Sequence, residues 1–496
     1  MDRIRFQNYR CFSDTGNVDL KPLTFLLGAN SSGKSSFLKF FPLLKQSVGL
    51  RRNGLFLWYA NDVDFKDFGN AVKKGEDSIT ISWEYDDFLV NDIRSFSRLK
   101  KILNTEKLSR KINLRLSMEI SARRDNFDKL DKLEIEFLEE RVELMVEESG
   151  NVLVKVNDRI FTYDNMEIRF GDTTYLLPRL YISYDTTDGI MYNASFSKIF
   201  DKEKLFEDES LKDLQETIQS EGMIYLNKEG YTAFFKHFVN NDYFDYDYLR
   251  DFYILANLDE IIETINYRIQ AEVIQFSYVK PLRVMPERYY RYQNYSVDEI
   301  DSDGKNLAMF LANLSEAEMK QYQQWTAAFF GFRIYAAKHE GHVELTIGST
   351  KKEARNLVDV GFGYTQLLPI VTIIWNALKG RNRFYYYARV GKPQITLAIE
   401  QPELHLHPKV QSEFAEFLGK VVEKLSSNVD VRFIIEKHSE AIINRVGSMI
   451  QSGNLAKDKV NVVLFNGVKE GMEDYVVESE FDDEGYLTNW PLGFFL

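Results

Sequence analysis

Residues 28–35 read Gly28-Ala29-Asn30-Ser31-Ser32-Gly33-Lys34-Ser35, which fits G-x-x-x-x-G-K-[ST]. Glycines at both ends let the backbone curl, so that successive N–H groups point inward at a polyphosphate. A helix starting near Lys34 adds the positive end of its dipole. In such a loop Lys34 reaches the β- and γ-phosphates of a nucleoside triphosphate, and the Ser35 hydroxyl ligates Mg²⁺. Gly28, Asn30, Ser31, Ser32, Gly33 and Ser36 complete the cradle. The context agrees: an apolar stretch of strand length, 23–27, lies between Pro22 and Gly28, and residues 36–46 carry helical periodicity.

A triphosphate loop needs a carboxylate at the end of a nearby strand to hold Mg²⁺ or its water. The run Ile395-Thr396-Leu397-Ala398-Ile399-Glu400 supplies one, which makes Glu400 the metal candidate. Gln401 follows, where a general base would be useful. An amide orients a water but does not accept its proton, so Gln401 is a water-positioning candidate and Glu403 an alternative base. His405 and His407 alternate in a way that invites zinc, but the chain has six histidines and one cysteine, and packing of the loop near the phosphates is the better reading. His339-Glu340-Gly341-His342 imitates a metal motif at the wrong spacing and reads as a hairpin turn.

A third strand-like run, 431–435, leads into Glu436-Lys437-His438-Ser439-Glu440. If its strand lies beside the Glu400 strand, His438 falls near a γ-phosphate or the attacking water. A fourth motif, Gly361-Phe362-Gly363-Tyr364-Thr365-Gln366, precedes a helical pattern over 366–378, with Thr365 as its expected N-cap. Its two glycines permit close backbone approach, so this helix start is a second anion site. Because the chain already has a complete loop, a second phosphate-facing helix end points to the nucleotide of a partner copy.

The elements that must position these residues are legible in outline. Apolar runs at 395–399, 431–435 and 462–465 alternate with helical patterns at 366–378, 408–425 and 440–450. Such alternation predicts an α/β fold whose largely parallel sheet is covered on both faces. The expected division is 1–85 and 276–496 for the two lobes of a P-loop NTPase core, with 86–275 as a largely helical or mixed insertion. Within the insertion, 133–145 and 152–169 look strand-like, and 196–270 looks helical, aromatic and acidic. The basic stretch 94–124 carries Lys100, Lys101, Arg110, Lys111, Arg115, Arg123 and Arg124.

Composition sets bounds on function. The 496 residues carry a net charge of −13, so any DNA or RNA contact must be a local basic patch. Cys11 is the only cysteine, which excludes a disulfide framework and a cysteine-based zinc finger. Met1-Asp2-Arg3 opens an alternating strand and no signal segment. The longest apolar candidate, 367–378, is interrupted by Thr372 and Asn376, which predicts no membrane span and a cytoplasmic protein.

The order Asn8-Tyr9-Arg10-Cys11-Phe12, loop 28–35, 361–366, I-E-Q-P-E-L-H-L-H-P at 399–408 and E-K-H-S-E at 436–440 resembles ABC-type ATPase heads of the SMC/RecF/OLD group. More narrowly it is similar to the stand-alone ATPase subunits of prokaryotic antiphage systems such as Septu, PARIS and retron-associated ones. Pro281-Leu282-Arg283, 286–290 and the terminal 490–495 also look characteristic. The resemblance covers 1–85 and 276–496 and leaves the insertion unexplained.

The resemblance implies a homodimer or higher homo-oligomer that clamps two ATP–Mg²⁺ between heads. The loop of one copy would face Gly361, Gly363, Thr365 and Gln366 of the other, with Arg10 approaching the nucleotide and His438 as the switch histidine. Gln401 departs from the group's general-base glutamate, which implies slow hydrolysis or reliance on Glu403 or His438. The chain ends without room for a nuclease domain, so a nuclease-type effector would be a separate protein. The function implied is an ATP-driven molecular switch controlling that effector in antiphage defence. Two alternatives stay open: a RecF-like DNA repair ATPase that uses the basic patch, and a nucleotide-gated scaffold with little hydrolysis. A transporter subunit fits poorly, because such subunits are shorter and lack a large insertion.

Overall fold

The computed structural model describes residues 1–89, 111–123, 127–147, 152–162, 166–169, 175–184, 192–195, 250–251, 254–255, 257–293, 297–379, 394–425, 429–466 and 476–489. The chain divides into two compact units. One comprises 1–46, 58–76 and 271–496; the other comprises 47–57 and 77–270.

The first unit is built on a six-stranded sheet. Its strands in chain order are β1 (Leu23–Gly28), β2 (Phe276–Val279), β3 (Gln394–Glu400), β4 (Asp430–Glu436), β5 (Val460–Phe465) and β6 (Val476–Ser479), and their spatial order is β2-β3-β4-β1-β5-β6. All neighbours are parallel except the β5–β6 pair. β1 and β5 are buried at every position, as parallel strands covered on both faces must be. Helices α1 (Lys34–Leu38), α2 (Glu316–Phe330), α3 (Phe362–Lys379), α4 (Pro408–Leu425) and α5 (Glu440–Gln451) belong to the same unit. Ile370, Val371 and Ile374 of α3, Phe414 and Leu418 of α4, and Ile443 and Val446 of α5 share one core with Leu397, Ile399 and Phe433 of the sheet. These are the apolar stripes that the helical periodicity identifies. The sequence-predicted strands at 395–399, 431–435 and 462–465 fall within β3, β4 and β5, and the helix predicted over 408–425 is α4.

Two helical expectations need correction. The helix expected over 36–46 is interrupted at Lys39, so α1 is followed by a separate helix, Phe40–Ser47. The helix after the glycine motif begins at Phe362, before Gln366, so Thr365 is not its N-cap but lies in the first turn, 4% exposed. Glycine's helix penalty is only about 1 kcal/mol. Burial of Thr365 and Gln366 accompanies the extra turn at Gly363.

A smaller antiparallel sheet in this unit joins Tyr290–Arg291, Arg333–His339, His342–Gly348 and Arg355–Asn356 around a second apolar core. His339 and His342 close its hairpin, with Glu340 at φ 42° and Gly341 at φ 82° in the two turn positions. This left-handed pair matches the twist of the flanking strands.

In the second unit Ser78–Leu89, Lys111–Ala122, Asp128–Phe137, Glu140–Val146, Val152–Val156 and Arg159–Thr162 pair consecutively as an antiparallel meander. Strict alternation along Lys111–Ala122 buries Ile112, Leu114, Leu116, Met118 and Ile120 on one face. Many described residues of this unit are in strands; of the stretch 196–270 expected to be helical, 196–249 lies outside the described residues, and a helix runs over Leu258–Ile274. Lys100, Lys101, Arg110 and Arg124 of the basic patch lie outside them too. Lys111 and Arg115 are paired with Asp87 at 2.5 Å and Glu84 at 3.4 Å. The terminal motif 490–495 also lies outside the described residues.

Candidate functional site

β1 delivers Gly28 to the carboxyl end of the sheet, and the chain then turns through 29–33 into α1. Gly28 and Gly33 are demanded by geometry. A Cβ on Gly28 would lie 2.6 Å from the Phe465 carbonyl, where β1 pairs with β5. Gly33 has φ 105°, and a Cβ there would lie 2.7 Å from both Cys11 Sγ and the Phe12 ring. Only glycine adopts this backbone readily and leaves this space. The loop borders a cavity of about 520 Å³ lined by Asn30 to Ser36 together with Arg10, Cys11, Asn70, Gln401, Glu436 and His438.

Lys34 is buried, and its Nζ donates to the carbonyls of Gly28 at 2.9 Å and Ala29 at 2.7 Å. Burial lowers its pKa, opposed by the charges of Glu436 and Glu403. Arg10 sits in a left-handed turn (φ 57°). Its guanidinium donates to the Asn70 carbonyl and lies over the Phe65 ring, 4.9 Å from the centroid. Arg10 and Cys11 thus border the cavity beside the loop.

The strand ends are in register: Glu400 on β3 faces Glu436 on β4, and Glu436 faces Leu26 on β1. β4 therefore lies between the loop strand and the Glu400 strand. Glu400 is 4% exposed, and its Oε1 accepts from the Tyr278 hydroxyl at 2.6 Å. Burial raises its pKa, opposed by that hydrogen bond. Ser35 Oγ donates to Glu436 Oε1 at 2.8 Å, so the loop serine meets Glu436 rather than Glu400.

Beyond Glu400 the chain turns sharply. Gln401 has φ 43°, its N–H donates to the Glu436 carbonyl at 2.8 Å, and it borders the cavity. Arg283 anchors the same turn from beneath, its Nη2 donating to the carbonyls of Glu400 and Gln401, each at 3.1 Å. Burial pushes the Arg283 pKa down to about 10. Glu403 does not border the cavity. Its Oε1 accepts from the backbone N–H of His438, and burial raises its pKa.

Lys437 is fully buried behind His438 and donates to the Ser439 carbonyl at 2.5 Å; burial pushes its pKa down to about 7, opposed by Glu403. His438 borders the cavity, its pKa lowered by burial and by the charges of Lys34 and Lys437. His405 adopts φ 63°, and His407 Nδ1 accepts from the Lys409 N–H at 3.3 Å in the first turn of α4.

The fold thus brings together Arg10, the loop residues, Gln401 and His438. Glu400 and Glu403 stand behind them. Gly361, Gly363, Thr365 and Gln366 do not line this cavity in the same chain, and Gly361 is exposed. Sequence reasoning passed over Glu436, Asn70 and Tyr278. Glu436 had a signal: it closes a strand run as Glu400 does. Asn70 and Tyr278 had none, since their place depends on non-local packing. Among the described residues no cluster of three or more His, Cys, Asp or Glu forms a metal-ligand set, and no helix is long and apolar enough to cross a membrane.

Residues 1–443 match the AAA ATPase domain family. A stretch of 98 residues, 19% of this chain and 13% of the relative, is 30% identical to Endonuclease GajA of Bacillus cereus (strain HuB5-5). The Smc head domain of Pyrococcus furiosus, solved bound to the C-terminal domain of ScpA, aligns over 96% of this chain and 95% of its own at 10% identity and a TM-score of 0.35. The SMC head domain of Thermotoga maritima aligns over 97% and 98% at 9% identity and a TM-score of 0.33. RecF solved with ATP aligns over 88% and 92% at 11% identity and a TM-score of 0.26.

Proposed function

Since the chain belongs to the AAA ATPase domain family, we propose that it binds ATP with Mg²⁺ at residues 28–36 and serves as a nucleotide-driven molecular switch. One observation carries this reading. The loop, Arg10, Gln401 and His438 come from four distant parts of the chain and border a single cavity.

In this reading the loop N–H groups take the phosphate oxygens, and Lys34 leaves its two carbonyl partners for the β- and γ-phosphates. Ser35 would hold Mg²⁺ together with a strand-end carboxylate, for which the sequence motif alone names Glu400. Bound there, the ion would neutralise charge that develops on the phosphates. His438 approaches the γ-phosphate as an uncharged imidazole that accepts or donates one hydrogen bond. Gln401 orients the attacking water, and its amide does not take the proton. Glu403 holds the His438 backbone in place. Hydrolysis is accordingly slow, which suits a switch whose bound state must persist.

Gly361, Gly363, Thr365 and Gln366 lie away from their own chain's cavity, so they serve the nucleotide of a second copy across a homodimer. The partial likeness to an endonuclease agrees with a nuclease-type effector as the element controlled, in antiphage defence.

The test is binding and hydrolysis of radiolabelled ATP by the purified chain and by Lys34→Ala. The variant should lose binding and turnover by about 100-fold or more, as expected when phosphate charge stabilisation is removed. Equal turnover by the two proteins would refute the assigned site.

A further inference from the structure

Two carboxylates end neighbouring parallel strands in register, Glu400 and Glu436, yet their surroundings differ. Glu400 has its Oε1 on the Tyr278 hydroxyl and does not border the cavity. Glu436 borders it, and its Oε1 accepts from Ser35 Oγ at 2.8 Å. The other oxygen, Oε2, is buried without a hydrogen-bond partner among the described residues, in a side chain of a residue only 3% exposed. A buried carboxylate oxygen left without a donor is costly, and native proteins retain such groups for a reason. Mg²⁺ collects oxygens of this kind: one or two carboxylates, a hydroxyl, phosphate oxygens and water. The residues present therefore fit the ion, and the carboxylate beside the loop serine is Glu436.

We propose that Glu436 is a magnesium-site carboxylate, holding with Ser35 the ion that accompanies the nucleotide, while Glu400 stands behind it against Tyr278. This rests on the nucleotide-binding reading above. It adds an acidic ligand from β4, the strand that also carries His438, so that the group holding the metal and the group facing the γ-phosphate share one backbone segment.

The experiment uses Mn²⁺ as a paramagnetic stand-in for Mg²⁺. Electron paramagnetic resonance counts the free ion during titration of the full chain with ATP present, and a fluorescent ATP analogue reports binding with Mn²⁺ and in chelator. For the parent protein Mn²⁺ should tighten nucleotide binding. In Glu436→Gln, which keeps the shape and an oxygen for Ser35, that gain should shrink, with Mn²⁺ affinity falling about 10-fold or more. Glu436→Asp keeps the charge on a shorter arm and should fall in between, and it decides the matter if the glutamine variant does not fold by circular dichroism. Parental Mn²⁺ affinity in either folded variant would overturn the assignment. A parent protein that binds neither ATP nor Mn²⁺ with ATP would instead bring down the nucleotide-binding reading.

Discussion

In the proposed switch, position 401 is where the rate of turnover would be set. Gln401 sits in a left-handed turn at the cavity wall, with Arg283 holding its carbonyl at 3.1 Å. Its amide would polarise a water there without accepting the proton. The alternative base, Glu403, does not border the cavity and is engaged with the His438 N–H, so it does not substitute from where it stands. Gln401→Glu should raise steady-state phosphate release by about 10-fold or more, within the usual span of general-base contributions. Equal rates would mean that another step limits turnover.

At the scale of elements, α2 and α3 are tied by polar contacts at one end. Ser315 caps α2 in a capping box with Glu318, and Glu318 pairs with Lys379 at the last residue of α3. Lys379 and the Ser315 N–H and hydroxyl hold the Glu318 carboxyl down to about 2. A carboxyl depressed by folding contributes stability that is complete above its ordinary value near 4.5 and is lost as pH falls toward about 2. Urea denaturation of Glu318→Gln should therefore show a smaller loss of stability between pH 5 and pH 3, on the order of the carboxylate range, than the parent does. Ser315→Ala should cost about 1 kcal/mol at neutral pH. Identical pH slopes for Glu318→Gln and parent would show that the contact contributes nothing.

For the molecule as a whole, the question is what completes the site. Gly361 is exposed, has no atom within 4 Å of where a Cβ would lie, and needs no left-handed backbone. Its own fold therefore tolerates a side chain, and any penalty must come from something brought to it. Light scattering should show a shift from monomer to dimer when ATP and Mg²⁺ are added. Gly361→Glu should abolish the shift, by putting a negative charge against a facing phosphate, with an unchanged melting temperature. A dimer that persists in the variant, or that forms without nucleotide, would remove this turn from the interface.

The sequence by itself determined the phosphate loop, the strands that end at Glu400 and Glu436, and the parallel α/β frame. All of these follow from local spacing: G-x-x-x-x-G-K-S is contiguous, and strand and helix periods repeat within a few residues. The tertiary structure alone decided which carboxylate meets Ser35, because that depends on β4 lying between β1 and β3, and the hydrogen bond it brings about joins residues 401 positions apart. It likewise decided that Glu403 points at the His438 backbone, that Arg283 clamps the turn after β3, and that Thr365 falls inside a helix rather than at its cap. Local sequence sets what a segment prefers to be. Which side chains finally meet is set by strand order and burial, and those are properties of the packed chain.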